Sequence, residues 1–209
     1  MRGLDDLVRQ GKTLYVGISD APAWWVAQAN TLAELRGWTQ FIGLQIEYSL
    51  IERTVERELI PVPKALNVGV LAFSELAKGV LTGKYHGAGK PDGGRMTNQG
   101  MKEFLPEEQL AARIISAVKS VSEQTDRSMA QVALAWLRHQ AVPVIPIMGA
   151  RKVSQLQDNL ASLDLELSAD QLKSLDGAGR IELGFPQSIY ERELVRAIRY
   201  GGTWDRLLL

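Results

Sequence analysis

MRGLDDLVRQGKTLYVGISD (1–20) puts an amphipathic segment in front of an apolar one. Leu4, Leu7 and Val8 recur at helical spacing and Gly11 ends the segment, so residues 2–10 read as a helix. TLYVGI (13–18) then reads as a buried strand. An alternating strand–helix domain normally opens on a strand. Here a helix comes first, like a crossover whose preceding strand lies elsewhere.

The alternation continues downstream. FIGLQIEY (41–48), VGVLAFS (68–74) and PVIPI (143–147) read as three more strands, the third strand of the chain being almost continuously apolar. A helix is expected from Pro22 to Arg36, capped by Ser19 or Asp20 and stopped by Gly37. Residues 54–66 start helical, and Pro61 and Pro63 are expected to break or kink that helix. Further helices are expected over 106–124 with Pro106 at the start, from a Ser128–Gln131 capping box to Arg138, near 152–161, and over 169–176 behind a Ser168 cap. Residues 75–100, rich in Gly, Lys and Asn, read as a long mobile loop of the functional kind. Residues 180–209 read as a surface-wrapping extension. Short apolar strands separated by helices imply parallel pairing with right-handed crossovers. The chain is thus an α/β domain of four strand–helix units behind one orphan helix, with no linker and no internal repeat.

Composition narrows the chemistry. The 209 residues carry 24 Lys plus Arg against 24 Asp plus Glu, so no net field draws nucleic acid or an anionic membrane. There is no cysteine, which removes disulfides, thiol catalysis and thiolate metal sites and fits a cytoplasmic protein. Two histidines supply little metal chemistry. The longest apolar run, AVPVIPIMGA (141–150), is too short to span a bilayer. The first ten residues lack the apolar core of a signal peptide.

In parallel α/β folds, ligands gather at the carboxyl ends of the strands. Ser19 and Asp20 follow the first strand; Gln45, then Glu47 and Tyr48, close the second; Phe73 and Ser74 close the third. The fourth leads through Gly149 and Arg151 into a helix bearing Gln155, Asp158 and Asn159. An aromatic, several amide and hydroxyl groups, and an arginine at a helix N-terminus suit a large, polar, phosphorylated ligand.

GKTLYVGISDAPAWW, LQIEYSLIER, AFSELAKGVLTGKY and IPIMGARKVSQLQDNL, followed by GGTWDRL, together resemble the aldo-keto reductases, particularly the bacterial branch related to potassium-channel β subunits. The resemblance runs in order from Met1 into the tail. It implies the second half, about strands 5–8, of a (β/α)8 TIM barrel, one partial domain over residues 1–209 with 180–209 as its C-terminal extension. It implies NADP(H) rather than NAD as cofactor, lying across the carboxyl face. Ser19, Asp20 and Gln45 match positions that bind the nicotinamide carboxamide, and Phe73 the aromatic that stacks on the ring. Ser74, Glu75, Leu76, Ala77 and Lys78, with Lys84 and Arg95, match the loop over the pyrophosphate. Gly149, Arg151, Gln155, Asp158 and Asn159 match the adenosine and 2′-phosphate end. The implied substrate is a small carbonyl or alcohol.

The resemblance has departures. Asp20 stands where Asn is common, and Ser-Glu-Leu-Ala-Lys-Gly (74–79) replaces Ser-Pro-Leu-Ala-Gly-Gly. The family's catalytic Asp, Tyr, Lys and His belong to the first half of the barrel, and no residue here matches them, so no catalytic residue and no metal ligand is assigned. Met1 falls in a helix that family members carry internally, which makes a truncated gene product an alternative. A half barrel would also expose two strand edges, open to self-association or to a partner chain. His86 and His139 read as a loop residue and a helix-end cation. Asp5-Asp6 and Glu107-Glu108 read as charges placed with helix dipoles, Trp24 and Trp25 as helix packing, and Tyr48 as structural.

Overall fold

A computed structural model describes residues 1–85, 107–190, 192–203 and 206. Four parallel strands, β1 (Gly17–Ser19), β2 (Gly43–Glu47), β3 (Gly69–Phe73) and β4 (Val144–Pro146), form one sheet whose spatial order is the sequence order. Among the described residues the helices are α1 (Arg2–Arg9), α2 (Ala23–Arg36), α3 (Pro61–Leu66), α4 (Glu108–Thr125), α5 (Met129–Arg138), α6 (Val153–Leu160), α7 (Ala169–Ala178), α8 (Gln187–Tyr190) and α9 (Glu193–Tyr200).

The sheet is covered on one side. Leu44 and Ile46 of β2, Val70 and Ala72 of β3 and Val144 of β4 are buried, and they cluster with Val26 of α2, Ile114 and Val118 of α4, and Val132 and Trp136 of α5. The alternate residues point the other way, as the two-residue strand period demands. One row on that face runs Ser19, Gln45, Leu71, Ile145 across all four strands, and Glu47 and Phe73 are paired further along. None of these six belongs to the buried core. Ile145 is 61% exposed. Toward the amino ends, Gly17, Gly43 and Gly69 form a row of their own. A Cβ on Gly17 would lie 2.9 Å from the Gly43 carbonyl oxygen, so glycine is what lets β1 approach β2 there.

Several boundaries differ from the sequence reading. β1 starts at Gly17, and Leu14 and Tyr15 are exposed; as an edge strand it has only β2 to pair with. α2 is capped by Pro22 with extended backbone and no side-chain cap, because Asp20 has turned to φ 50°. The 54–66 stretch is interrupted just before Pro61, as expected, while Pro63 lies inside α3 without breaking it. Residues Thr54–Arg57 form a separate 3-10 turn, and Pro61 starts α3, where its missing N–H has no helical acceptor to serve. Within 75–100, Ala77–Thr82 is a 3-10 segment; 86–106, including His86, Arg95 and Pro106, lie outside the described residues. The described part of the tail carries α8 and α9.

Local ties explain other differences. Asp5 lies in the first turn of α1, as the dipole reading has it, but it also does more: it is buried and accepts from Thr39 N at 2.9 Å, Thr39 Oγ1 at 3.0 Å and Arg9 Nε at 2.6 Å. Burial works to raise its pKa, and these hydrogen bonds with the Arg9 charge outweigh it, leaving the carboxyl below the usual range. Trp24 and Trp25 lie exposed, tilted against each other at 5.8 Å. Ser128 accepts from Gln131 N at 3.1 Å as expected, but the Gln131 amide turns to Asp158 instead of closing a capping box. Ser168 and Gln171 do form the reciprocal box at α7. Asn30, buried in α2, both donates to Phe41 O (3.0 Å) and accepts from Phe41 N (2.9 Å), pinning α2 to the chain entering β2.

Candidate functional site

The carboxyl ends of β1, β2 and β3 bring together the first group of expected residues. Ser19 stands beside Gln45, and Phe73 beside Glu47, all on the uncovered face. The Asp20 amide donates to Gln45 O at 3.1 Å, so the turn after β1 is fixed to the strand next to it. Asp20 (φ 50°) and Ser74 (φ 53°) each leave their strand in the left-handed region. For non-glycine residues this costs about 1–3 kcal/mol each, and such strain gathers where a turn must aim groups at a ligand.

The segment after β3 mixes buried anchors and cationic side chains. Leu76 and Ala77 pack against the core, and Glu75 is buried. Ala77 (φ 47°), Lys78 (φ 57°) and Gly79 (φ 95°) make three successive left-handed residues. Lys78 Nζ lies 3.1 Å from Glu47 Oε1, an ion pair that spans from the loop back to β2. Lys84 is exposed, with its ammonium 5.0 Å from the Tyr85 ring centre. Beside β1 and β2, a cleft is lined by Asp20, Glu47, Glu52 and Thr54 with Pro22 and Leu59. Glu52 is already engaged, accepting from Thr54 N at 2.9 Å. No trio of His, Asp or Glu among the described residues is placed to hold a metal.

A second group lies beyond β4. Gly149 and Arg151 are exposed ahead of α6. Gln155 Oε1 accepts from Arg151 N (2.9 Å) and Lys152 N (3.2 Å), so its side chain organises the backbone at the helix start. Asp158 accepts from Ser128 Oγ at 2.9 Å and Gln131 Nε2 at 2.7 Å, which ties α6 to α5. Asn159 is buried. Arg151 is therefore the exposed cation at this end, with Lys152 next to it.

Tyr48 is fully buried, and its hydroxyl lies 2.8 Å from Glu56 Oε1 and 3.0 Å from Gln140 Oε1. Burial, then the Glu56 carboxylate, pushes its pKa far upward, so the phenol keeps its proton at neutral pH and is a poor acid. It belongs to a network that composition did not disclose. Glu56 holds Arg53 at 2.7 Å, and Trp136 Nε1 donates to Asp176 Oδ1 at 2.9 Å. Glu47 was also not singled out as a site residue. Its place two residues after Gln45 on one strand face is the signal that finds it.

The model of the aldo/keto reductase family matches residues 1–180. An aldo-keto reductase of Aspergillus calidoustus is 33% identical over 189 residues, covering 89% of this chain and 47% of its own. Norsolorinic acid reductase A of Aspergillus parasiticus is 30% identical over 188 residues, 90% of this chain and 46% of its own. An aryl-alcohol dehydrogenase [NADP(+)] of Phanerodontia chrysosporium is 33% identical over 194 residues, 91% and 50% respectively. The chain spans about half the length of the curated relatives it matches. With parallel strands alternating with helices, polar groups at their carboxyl ends and a family match over most of its length, this chain belongs to the aldo/keto reductase family.

Proposed function

We propose that the chain is the cofactor-binding C-terminal half, about strands 5–8, of an NADP(H)-dependent aldo-keto reductase. The observation that carries this reading is the row Ser19, Gln45 with Phe73 above it, on a sheet face that no helix of the described residues covers. A carboxamide needs donors and acceptors, and Ser19 with Gln45 offers both. A flat ring needs an aromatic face, and Phe73 offers one. Arg151 favours a 2′-phosphate over a hydroxyl, and hence NADP(H) over NAD(H). The dinucleotide supplies the hydride; the chain supplies position and electrostatics.

Small carbonyls or alcohols are the proposed substrates, in keeping with relatives named as a norsolorinic acid reductase and an aryl-alcohol dehydrogenase. The closer kinship with the branch of the potassium-channel β subunits rests on the quoted motifs. Because no residue here matches the family's Asp, Tyr, Lys and His, these 209 residues by themselves are proposed to be inactive, and the proposed setting is the cytoplasm. Fluorescence titration with NADPH and NADH tests the binding. Saturable binding that favours NADPH and weakens in Phe73→Ala is expected; no binding overturns the proposal. Reduction of 4-nitrobenzaldehyde at ordinary reductase rates overturns the inactivity.

A second reading, a non-catalytic half-barrel that pairs with a copy of itself or another chain, draws on the exposed Ile145 and the free edges of β1 and β4. It is separated from the first by binding of partner without binding of nucleotide.

A further inference from the structure

Lys78 occupies a backbone conformation that suits glycine: φ 57°, ψ 20°, directly before Gly79. From there it reaches to Glu47, with Nζ 3.1 Å from Oε1 and the two side chains 15% and 36% exposed. Glu47 is no bystander to the proposed cofactor face. It stands on the uncovered side of β2, level with Phe73 and two residues beyond Gln45. A second ammonium is near: a Cβ on Gly79 would come within 2.6 Å of Lys84 Nζ. The loop thus presents two cations around Gly79, and one of them is met by a carboxylate from the chain itself.

We infer that Lys78 is an exchangeable clamp, held by Glu47 in the free chain and passed to the diphosphate of a dinucleotide on binding, with Glu47 as a built-in competitor that sets the affinity. The inference rests on the nucleotide reading above. Glu47 leaves 36% of its side chain to solvent, so the pair stays open to a competing anion. A diphosphate offers more negative charge and more acceptor oxygens than one carboxylate. The carboxylate released from Lys78 then faces the ligand and repels it, which lowers affinity below what the two lysines alone would give.

The test is NADPH titration of the full chain and of E47Q, K78G and the double variant, at low and high salt, with a thermal melt of each. Neutralising Glu47 is expected to tighten NADPH about threefold, because it loosens one tie on the lysine and removes the repulsion. K78G is expected to loosen binding by about fivefold and to flatten its salt dependence. In the K78G background, E47Q is expected to tighten binding less than it does alone. Unchanged or weaker affinity in E47Q, with lower melting temperatures in both single variants, would make the pair a structural strap and overturn the exchange. If none of the four proteins binds NADPH saturably, the nucleotide reading fails and this inference fails with it. Binding by the wild-type chain with no gain in E47Q removes the exchange alone.

Discussion

Arg53 stacks over Trp136, its guanidinium carbon 5.1 Å from the ring centre, while its Nε holds Glu56 at 2.7 Å. Arg53 NH1 also donates to Asp176 O at 3.0 Å, so one side chain joins the turn after β2 to α5 and α7. The Arg53 and Glu56 side chains are 10% and 18% exposed, while Asp176 is half exposed. Removing Glu56 takes the nearest carboxylate from a buried cation and from the Tyr48 hydroxyl, leaving them Asp176 at 3.4 Å and Gln140 at 3.0 Å. Glu56→Ala is expected to cost about 2–4 kcal/mol, and a lower denaturant midpoint with an unchanged slope is the expected result. A change below about 0.5 kcal/mol would mean that water replaces the carboxylate freely.

Asp5 gives the chain an acid-sensitive tie between α1 and Thr39. Its folded pKa lies below the ordinary 3.8, so its stabilisation is present above that value and is lost as pH falls through the lower folded one. Urea midpoints measured from pH 7 down to about pH 3 should fall in the wild type over the acid end of the range. In Asp5→Asn the midpoint should be lower at neutral pH and depend less on acid. Parallel curves for the two proteins would remove Asp5 as a contributor.

Asp158 and Arg151 lie on one short segment and should separate cleanly. The Asp158 carboxylate accepts two side-chain hydrogen bonds from the start of α5, whereas Arg151 is exposed. Asp158→Ala is expected to cost about 1–3 kcal/mol of stability by leaving Ser128 and Gln131 without their acceptor. Arg151→Ala is expected to leave the melt unchanged and to shrink the preference for NADPH over NADH. A stability loss in the arginine variant, or none in the aspartate variant, would contradict the assignment.

The uncovered face should be adhesive. Leu71, Phe73 and Ile145 share it, and Ile145 is 61% exposed on an edge strand. Light scattering is expected to show mass rising with concentration, and Ile145→Lys should reduce that rise while a cooperative melt persists. A monomer at all concentrations would show that this face needs no cover.

Much of this was legible in the residues, for a physical reason. Strand runs such as VGVLAF and caps such as Ser168–Gln171 act within a few residues, so local pattern finds them. The orphan helix at the start was likewise visible in Leu4, Leu7 and Val8. What local pattern missed was set by distant partners. Pro61 marks the interruption of 54–66, but nothing nearby reveals that a new helix begins there. Local pattern places Asp5 at the helix start but does not disclose its tie to Thr39, 34 residues away. Gln131 was read into a capping box because Asp158 is 27 residues away. At the candidate site, Ser19, Gln45 and Phe73 could be chosen from their strand ends, but Glu47 acquires meaning only from Lys78, which reaches it across 31 residues.

A sheet whose order in space is its order along the chain has a consequence for how it tolerates loss. Among the described residues each strand hydrogen-bonds only to its predecessor and successor, so the ladder passes from neighbour to neighbour while α2, α4 and α5 pack the strands from one side. Taking a strand from either end exposes the next one without unthreading any crossover. Adding one requires only a new parallel partner along Gly17–Ser19 or Val144–Pro146. The architecture is divisible and extensible by whole strand–helix units, a property that a sheet with interleaved strand order would lack.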